Sequence, residues 1–326
     1  MLERTPIQKV HTTIFDQSFS ECGNYLAVCD NLGFVSVYRL SSALVPNPKK
    51  ESYKPFYTFK ASDYAIYSLL TNDGKLICGG KKALTCWSWT TIIDESAKIV
   101  WSVKMPSEGS CLTEANCLAV CQESSRLYAG CGDGLVHQWN IETGVYQTRF
   151  SGHTNVIQSI NLQENLIYSA SEDGTVRVWD KRVSQAQAQH VMTPSKDESL
   201  DRPSIGSWLA CVCSQDDMVA CGGAPKLSLW SLRTLSPLVS MDTGVTTQHA
   251  ILFTDHVLVS GGTGKHIEHW YVNGERKRSL PVTPDTIYNI STNDRSADKK
   301  MLTACGTGCK VDACLNYGYR AFSFEI

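Results

Sequence analysis

Leu166-Ile167-Tyr168-Ser169-Ala170-Ser171-Glu172-Asp173-Gly174-Thr175-Val176-Arg177-Val178-Trp179-Asp180-Lys181 is the stretch that decides the fold. It opens as an apolar run that ends in small residues. Asp173-Gly174 then stands where a tight hairpin needs positive φ. Beyond the turn Val176 and Val178 alternate with polar neighbours, the period of a half-buried strand. Trp179 closes the unit on one large side chain. A hairpin of this kind cannot stand alone in water and needs further strands and a second layer.

The same unit recurs from Tyr25 to Leu40, Leu76 to Trp89, Leu127 to Ile141, Met218 to Leu232, Val257 to Val272 and Met301 to Cys314. The closing residues are Tyr38, Trp87, Trp139, Trp179, Trp230, Trp270 and Cys314, spaced 40 to 52 residues apart. WD repeats run about 40–45 residues and give four strands per propeller blade, so the longer intervals carry loop insertions. The pattern predicts an all-β, seven-bladed WD40-type β-propeller. Residues 1–10 are expected as an N-terminal tail and residues 11–326 as one propeller. Stacked blades bury one another's faces and leave only short edges. The first blade is expected from His11 to Phe19, Tyr25 to Cys29 and Phe34 to Leu40, with Phe56 to Phe59 outermost. The last is expected from Thr286 to Ser291, Met301 to Cys305, Lys310 to Cys314 and Tyr319 to Phe324. Each blade then uses consecutive strands, and no N-terminal strand is expected in the last blade.

The fourth repeat carries Gly152-His153 before it and Trp179-Asp180 at its close, the dipeptides that mark a WD repeat. Propellers of this kind hold a hydrogen-bonded tetrad of His, Ser or Thr, Asp and Trp. By motif position these are His153, Ser169, Asp173 and Trp179. A buried imidazole and carboxylate in such a network satisfy each other and the turn amides, so their role is structural. The other six repeats lack the set and are expected to rely on packing.

Thirty basic and 32 acidic residues give a formal charge of −2, too little for a general cationic field toward nucleic acid or membrane. The short clusters Lys49-Lys50, Lys81-Lys82, Arg276-Lys277-Arg278 and Lys299-Lys300 read as solvated loop charge. No apolar run has the length of a signal peptide or membrane span, which predicts a soluble protein made in the cytosol. Of 14 cysteines, Cys29, Cys78, Cys131, Cys221 and Cys305 lie in apolar strands and are expected buried and reduced.

Searches for chemistry fail on spacing. Gly261-Gly262-Thr263-Gly264-Lys265 lacks the first Gly of a phosphate loop, and His266 stands where Ser or Thr belongs. Gly130-Cys131-Gly132-Asp133-Gly134 fails in the same way. His266 and His269, three apart on a strand, point to opposite faces and cannot chelate one ion. Cys305, Cys309 and Cys314 match no common zinc spacing. No catalytic residue, metal ligand, cofactor or small-molecule substrate is expected, and the chain reads as a binding protein and not an enzyme. Three insertions stand out: Ser41 to Lys54, read as a mobile surface loop, Met105 to Asn116, and the polar Val191 to Gly206.

From about His11 onward the sequence resembles the sixth-subunit family of the THO complex. The resemblance rests on His11-Thr12-Thr13-Ile14-Phe15, Leu40-Ser41-Ser42-Ala43-Leu44, Ser171-Glu172-Asp173-Gly174 and Cys221-Gly222-Gly223-Ala224-Pro225. The ending Asn316-Tyr317-Gly318-Tyr319-Arg320-Ala321-Phe322-Ser323 is its most specific part. The resemblance implies a non-catalytic WD-repeat subunit of the nuclear THO/TREX machinery for mRNA processing, splicing and export, with nuclear speckles as a candidate location. The implied partners are other THO subunits, especially coiled-coil ones, with an RNA helicase and export adaptors reached indirectly. Candidate contacts are Arg182, Pro194 and Arg202, and Tyr319, Arg320 and Phe322 on the outer strand. The alternative reading takes Trp179-Asp180-Lys181-Arg182 as the WDxR box of a cullin-4 ubiquitin-ligase substrate receptor. Direct RNA contact is weakly supported.

Overall fold

A computed structural model describes residues 4–106, 113–183, 187–295 and 300–326. The chain is all-β in seven four-stranded antiparallel blades, the seven-bladed β-propeller class. The fold divides into two compact units, Met1–Met105 with Leu280–Ile326, and Pro106–Ser279. The first unit holds blades 1, 2 and 7, and the second holds blades 3 to 5 with nearly all of blade 6. Each blade is four consecutive strands. Blade 1 runs Ile14–Phe19, Tyr25–Asp30, Phe34–Arg39 and Tyr57–Lys60. Blade 4 runs Ile157–Gln163, Leu166–Ser171, Val176–Asp180 and His190–Met192. Blade 7 runs Ile287–Asn293, Met301–Gly306, Lys310–Leu315 and Tyr319–Glu325, and among the described residues no N-terminal strand joins it. Residues Pro6–Val10 form a helical turn, capped reciprocally by Thr5 and Gln8.

Strand chemistry explains the blades. Second strands are buried almost throughout; Val257–Gly262 and Met301–Gly306 are buried at every residue. Their small ends are steric necessities. A Cβ on Gly262 would stand 1.7 Å from the Thr247 carbonyl oxygen, and one on Gly306 1.8 Å from that of Thr286. Both lie beside the register shift where the first strand bulges toward them. The closing aromatics Tyr38, Trp139, Trp179 and Trp270 are among the largest fully buried side chains. Cys29, Cys78, Cys131, Cys221 and Cys305 are buried free thiols, and burial raises the pKa of each. Among the described residues no helix is long and apolar enough to cross a membrane.

Two expectations change. Ser41 to Lys54 is not simply a mobile loop: Leu40–Ala43 and Lys50–Tyr53 form helical turns that join the core shared by blades 1 and 7. There Tyr53 meets the Phe322 ring at 5.2 Å. Val191 to Gly206 begins inside the outer strand of blade 4, and it continues through a turn at Pro194–Lys196. Of the Met105 to Asn116 excursion, residues 107–112 lie outside the described residues. So does Lys299 of the last basic cluster. Arg276-Lys277-Arg278 runs along the exposed outer strand of blade 6.

Candidate functional site

Blade 4 shows what the turn positions do when all are filled. The Trp179 indole N–H donates to Ser169 Oγ at 2.9 Å, and Ser169 Oγ lies 2.8 Å from His153 Nε2. His153 Nδ1 lies 2.8 Å from Asp173 Oδ2. One proton assignment satisfies all of them: Ser169 donates to Nε2, and Nδ1–H donates to the carboxylate. Asp173 also accepts from the Thr154 and Thr175 amides and the Thr175 hydroxyl. Burial alone would raise its pKa, but the bonds from His153 and Thr175 hold its carboxyl well below the usual range. Burial pulls the His153 pKa down and keeps the imidazole neutral. Nothing here presents a nucleophile to solvent; the group fixes the turn.

The strand pairings let these positions be counted into other blades, and packing alone does not replace them. Ile157 opposite Ser171 in blade 4 corresponds to Leu209 opposite Gly223, Gln248 opposite Gly262 and Ile287 opposite Gly306. In blade 7 Thr283 takes the His153 place and bonds Asp312, whose carboxylate also meets Ser323 and, at 3.4 Å, Arg320. In blade 5 Ile205 and Pro225 take the His and Asp places. There Arg202 turns inward and donates to the carbonyls of Gly223, Ala224, Pro225, Gly244 and Thr246 at 2.6–3.1 Å. Trp270 keeps its indole bond, to Ser260 at the Ser169 place, whereas Trp230 donates to Ser228, which pairs across the strands with the Cys221 that takes that place. These substitutes arise because a buried turn must satisfy its polar groups by some means.

The six candidate contact residues are placed unequally. Arg182 is exposed, and its guanidinium grips Asp180 with Nε at 2.9 Å and Nη2 at 2.6 Å, holding that carboxyl down to about 2. Pro194 is buried, and Arg202 is spent on the five carbonyls. On the outer strand of blade 7 Tyr319 is 57 % exposed. Arg320 is tied to Thr283 and Asp312, and Phe322 packs under Tyr53. The structure therefore brings Tyr319, Arg320 and Phe322 to one edge and leaves Arg182 on a different blade. Sequence reading missed the inward roles of Arg202 and of Arg4, which pairs with Asp30 in blade 1. For Arg202, the signal was the absence of His and Asp at the counted places.

His266 is exposed and His269 is buried, on opposite faces of His266–Tyr271. Gly261 and Gly262 end a strand and Lys265 sits in the turn at φ 59, so that run is a blade turn. Among the described residues, the group with metal-like proximity is Cys131, Asp133 and His137, with ligand atoms within 4.8 Å of one another. Its bonding already has a use. His137 bridges Asp133 at 2.8 Å and Tyr146 at 3.2 Å, and Asp133 caps the Leu135 amide. Burial keeps the Cys131 thiol protonated.

Residues 144–180 match the family model of the WD domain, G-beta repeat, a stretch that holds the complete tetrad and the three inner strands of blade 4. A THO complex subunit 6 homolog of Danio rerio is 33% identical over 324 residues, covering 98% of this chain and 99% of that protein. THO complex subunit 6 of Homo sapiens is 35% identical over 325 residues, 98% of this chain and 94% of its own. The Drosophila melanogaster THO complex subunit 6 is 29% identical over 297 residues, 88% and 82% of the two chains. With blades, turn chemistry and end-to-end similarity in agreement, the chain belongs to the THO complex subunit 6 family of WD-repeat proteins.

Proposed function

We propose that this chain is a non-catalytic scaffold subunit of a THO/TREX-type assembly, acting in the nucleus, including nuclear speckles, in mRNA processing, splicing and export. The observation that carries the reading is similarity to THO complex subunit 6 proteins over 98% of the chain. Its direct partners are other THO subunits, coiled-coil ones foremost, and the RNA helicase and export adaptors are reached through the complex. The turns of blades 4, 5 and 7 support a scaffold: the polar groups described there are bonded to one another and to the backbone, so their chemistry is spent on stiffness. The edge at Tyr319 and Arg320 supports docking, because an outer strand can pair with an incoming chain.

Affinity purification of the tagged chain from nuclear extract tests this, with THO subunits expected among the recovered proteins. A purification that recovers none of them overturns the reading. RNA is not a direct ligand in this proposal, in keeping with a formal charge of −2. Tight, steeply salt-dependent RNA binding by the isolated chain would contradict that part.

A further inference from the structure

Counting along the strand pairings places Gly244 of blade 6 where blade 4 has His153, and Gly264 where it has Asp173. Ser260 and Trp270 keep their places and their bond, 2.9 Å long. An imidazole and a carboxylate are thus missing from an otherwise intact turn. A cavity of about 290 Å³ opens there, lined by Thr243, Gly244, Gln248, Gly264, Glu268 and Trp270 among others.

The lining asks for donors. Three buried side-chain oxygens at this cavity have no hydrogen-bond partner: Thr243 Oγ1, Gln248 Oε1 and Glu268 Oε2. Gln248 is only 3% exposed, and its amide orientation is fixed by its neighbour. The Thr246 hydroxyl donates to the Thr243 carbonyl at 2.7 Å, so it accepts from Gln248 Nε2 at 3.0 Å and leaves Oε1 over. His266 Nδ1 lies 2.8 Å from the Gly264 carbonyl oxygen and must donate to it, which leaves Nε2 an acceptor in the neutral ring. Asp242 adds a second carboxylate to the lining. Arg276 stands 3.9 Å from Glu268 Oε1 with its side chain 58% exposed, and Ser279 donates to that same oxygen. Buried acceptors left in this state are costly unless something supplies hydrogens.

Blade 5 shows what fills such a space. Its His and Asp places are also vacated, and the chain inserts its own guanidinium, Arg202, against five carbonyls. Two of them, those of Gly244 and Thr246, belong to residues that line the blade 6 cavity. The blade's own Arg276 also lines the cavity, yet its contact is with Glu268 Oε1 at 3.9 Å, and Thr243 Oγ1, Gln248 Oε1 and Glu268 Oε2 stay unpartnered. We propose that the blade 6 cavity is a guanidinium-binding pocket that takes an arginine side chain from a partner chain. A guanidinium offers five donors in one plane and suits acceptors spread around a slot, whereas an ammonium offers three from one point. Glu268 supplies the counter-charge, while Gln248 and Thr243 orient the plane. The pocket stands whether or not the assembly proposed above is the right one, since the isolated chain tests it.

Calorimetric titration of the full chain at low salt with N-acetyl-arginine amide, N-acetyl-citrulline amide and N-acetyl-lysine amide is the experiment. Binding of the arginine compound is expected, with the uncharged citrulline isostere at least about tenfold weaker, as for loss of a charge-assisted bond. Lysine should fall between them. Glu268→Gln should weaken arginine binding by about tenfold or more, as should Gln248→Met, which keeps the volume and removes the acceptor. If Gln248→Met fails to fold, the partly exposed Glu268→Gln still decides. A capped Ala-Arg-Ala peptide binding at least as tightly as capped arginine supports a partner side chain. Binding of capped arginine with refusal of that peptide overturns the source. No binding, equal arginine and citrulline affinities, or affinity unchanged by Glu268→Gln overturns the pocket itself.

Discussion

His153 has a partner at each ring nitrogen, whereas neither nitrogen of buried His269 has one. The same residue type therefore carries opposite energetic signs. His153→Leu strands Asp173 and Ser169 and should cost about 2–3 kcal/mol in urea unfolding. His269→Leu removes two unsatisfied atoms at similar volume and should leave stability unchanged or raise it by about 1 kcal/mol. A loss above that margin would mean that His269 has a role its surroundings do not show. The pH response follows from the same burial. Burial, with Arg278 and Lys277 nearby, takes the His269 pKa from 6.5 down to about 4. Between those values the unfolded chain binds the extra proton, so this group's contribution is intact above pH 6.5 and lost as pH falls toward 4. Melting temperature recorded across that window should fall less steeply for His269→Leu than for the parent chain.

At the scale of elements, the joints between strands carry the polar load, and Arg202 is the clearest example. One planar group closes five carbonyls in blades 5 and 6, which a lysine ammonium with three donors cannot reproduce. Arg202→Lys should cost about 1.5–3 kcal/mol in the same assay, the range for bonds to a charged donor. Residue identity alone did not predict this, because Arg202 sits in a polar, Pro-bearing stretch that reads as surface. The strands themselves were legible: apolar alternation recurs in all seven blades, Asp-Gly marks the turns of blades 3 and 4, and an aromatic closes every blade but the last, which ends on Cys314. Contacts between segments remote in sequence were not legible. Tyr53 on Phe322 is such a case, since nothing near Tyr53 announces a partner more than two hundred residues away. Tyr53→Ala should release the Lys50–Tyr53 turn and expose new cleavage sites after Lys49 or Lys50 in limited trypsin digestion. An unchanged digestion pattern would show that the turn holds without the ring contact. The blade 6 cavity is the converse, an absence that becomes visible only when the tetrad count is carried into a repeat that lacks two of its members.

At the scale of the whole chain, the two ends are joined within the first unit by side chains and short bridges instead of a shared strand. Thr13 bridges to Thr307 and Gly308, Gln17 reaches the Thr303 carbonyl, and the Tyr38 and Phe324 rings meet at 4.7 Å. Arg4 anchors the leading segment. Its side chain is 5% exposed, pairs with fully buried Asp30, and lies over the Phe34 ring. Asp30 also caps the turn through the Leu32 and Phe34 amides. Removing Arg4 leaves a buried carboxylate with amide partners but no counter-charge, so Arg4→Ala should cost about 3–5 kcal/mol at neutral pH. Pairing it with Asp30→Asn should recover part of the loss, since a neutral amide needs no counter-charge, and a double-mutant cycle gives the coupling. The pH dependence is distinctive. Burial raises the Asp30 pKa even with Arg4 opposing it, and without Arg4 it rises further. The folded variant then holds a proton that the unfolded chain releases, so its deficit should shrink as pH falls toward the ordinary carboxyl range. An Arg4→Ala deficit that is absent at neutral pH, or that grows on acidification, would show that the joint between first and last blades does not depend on this pair.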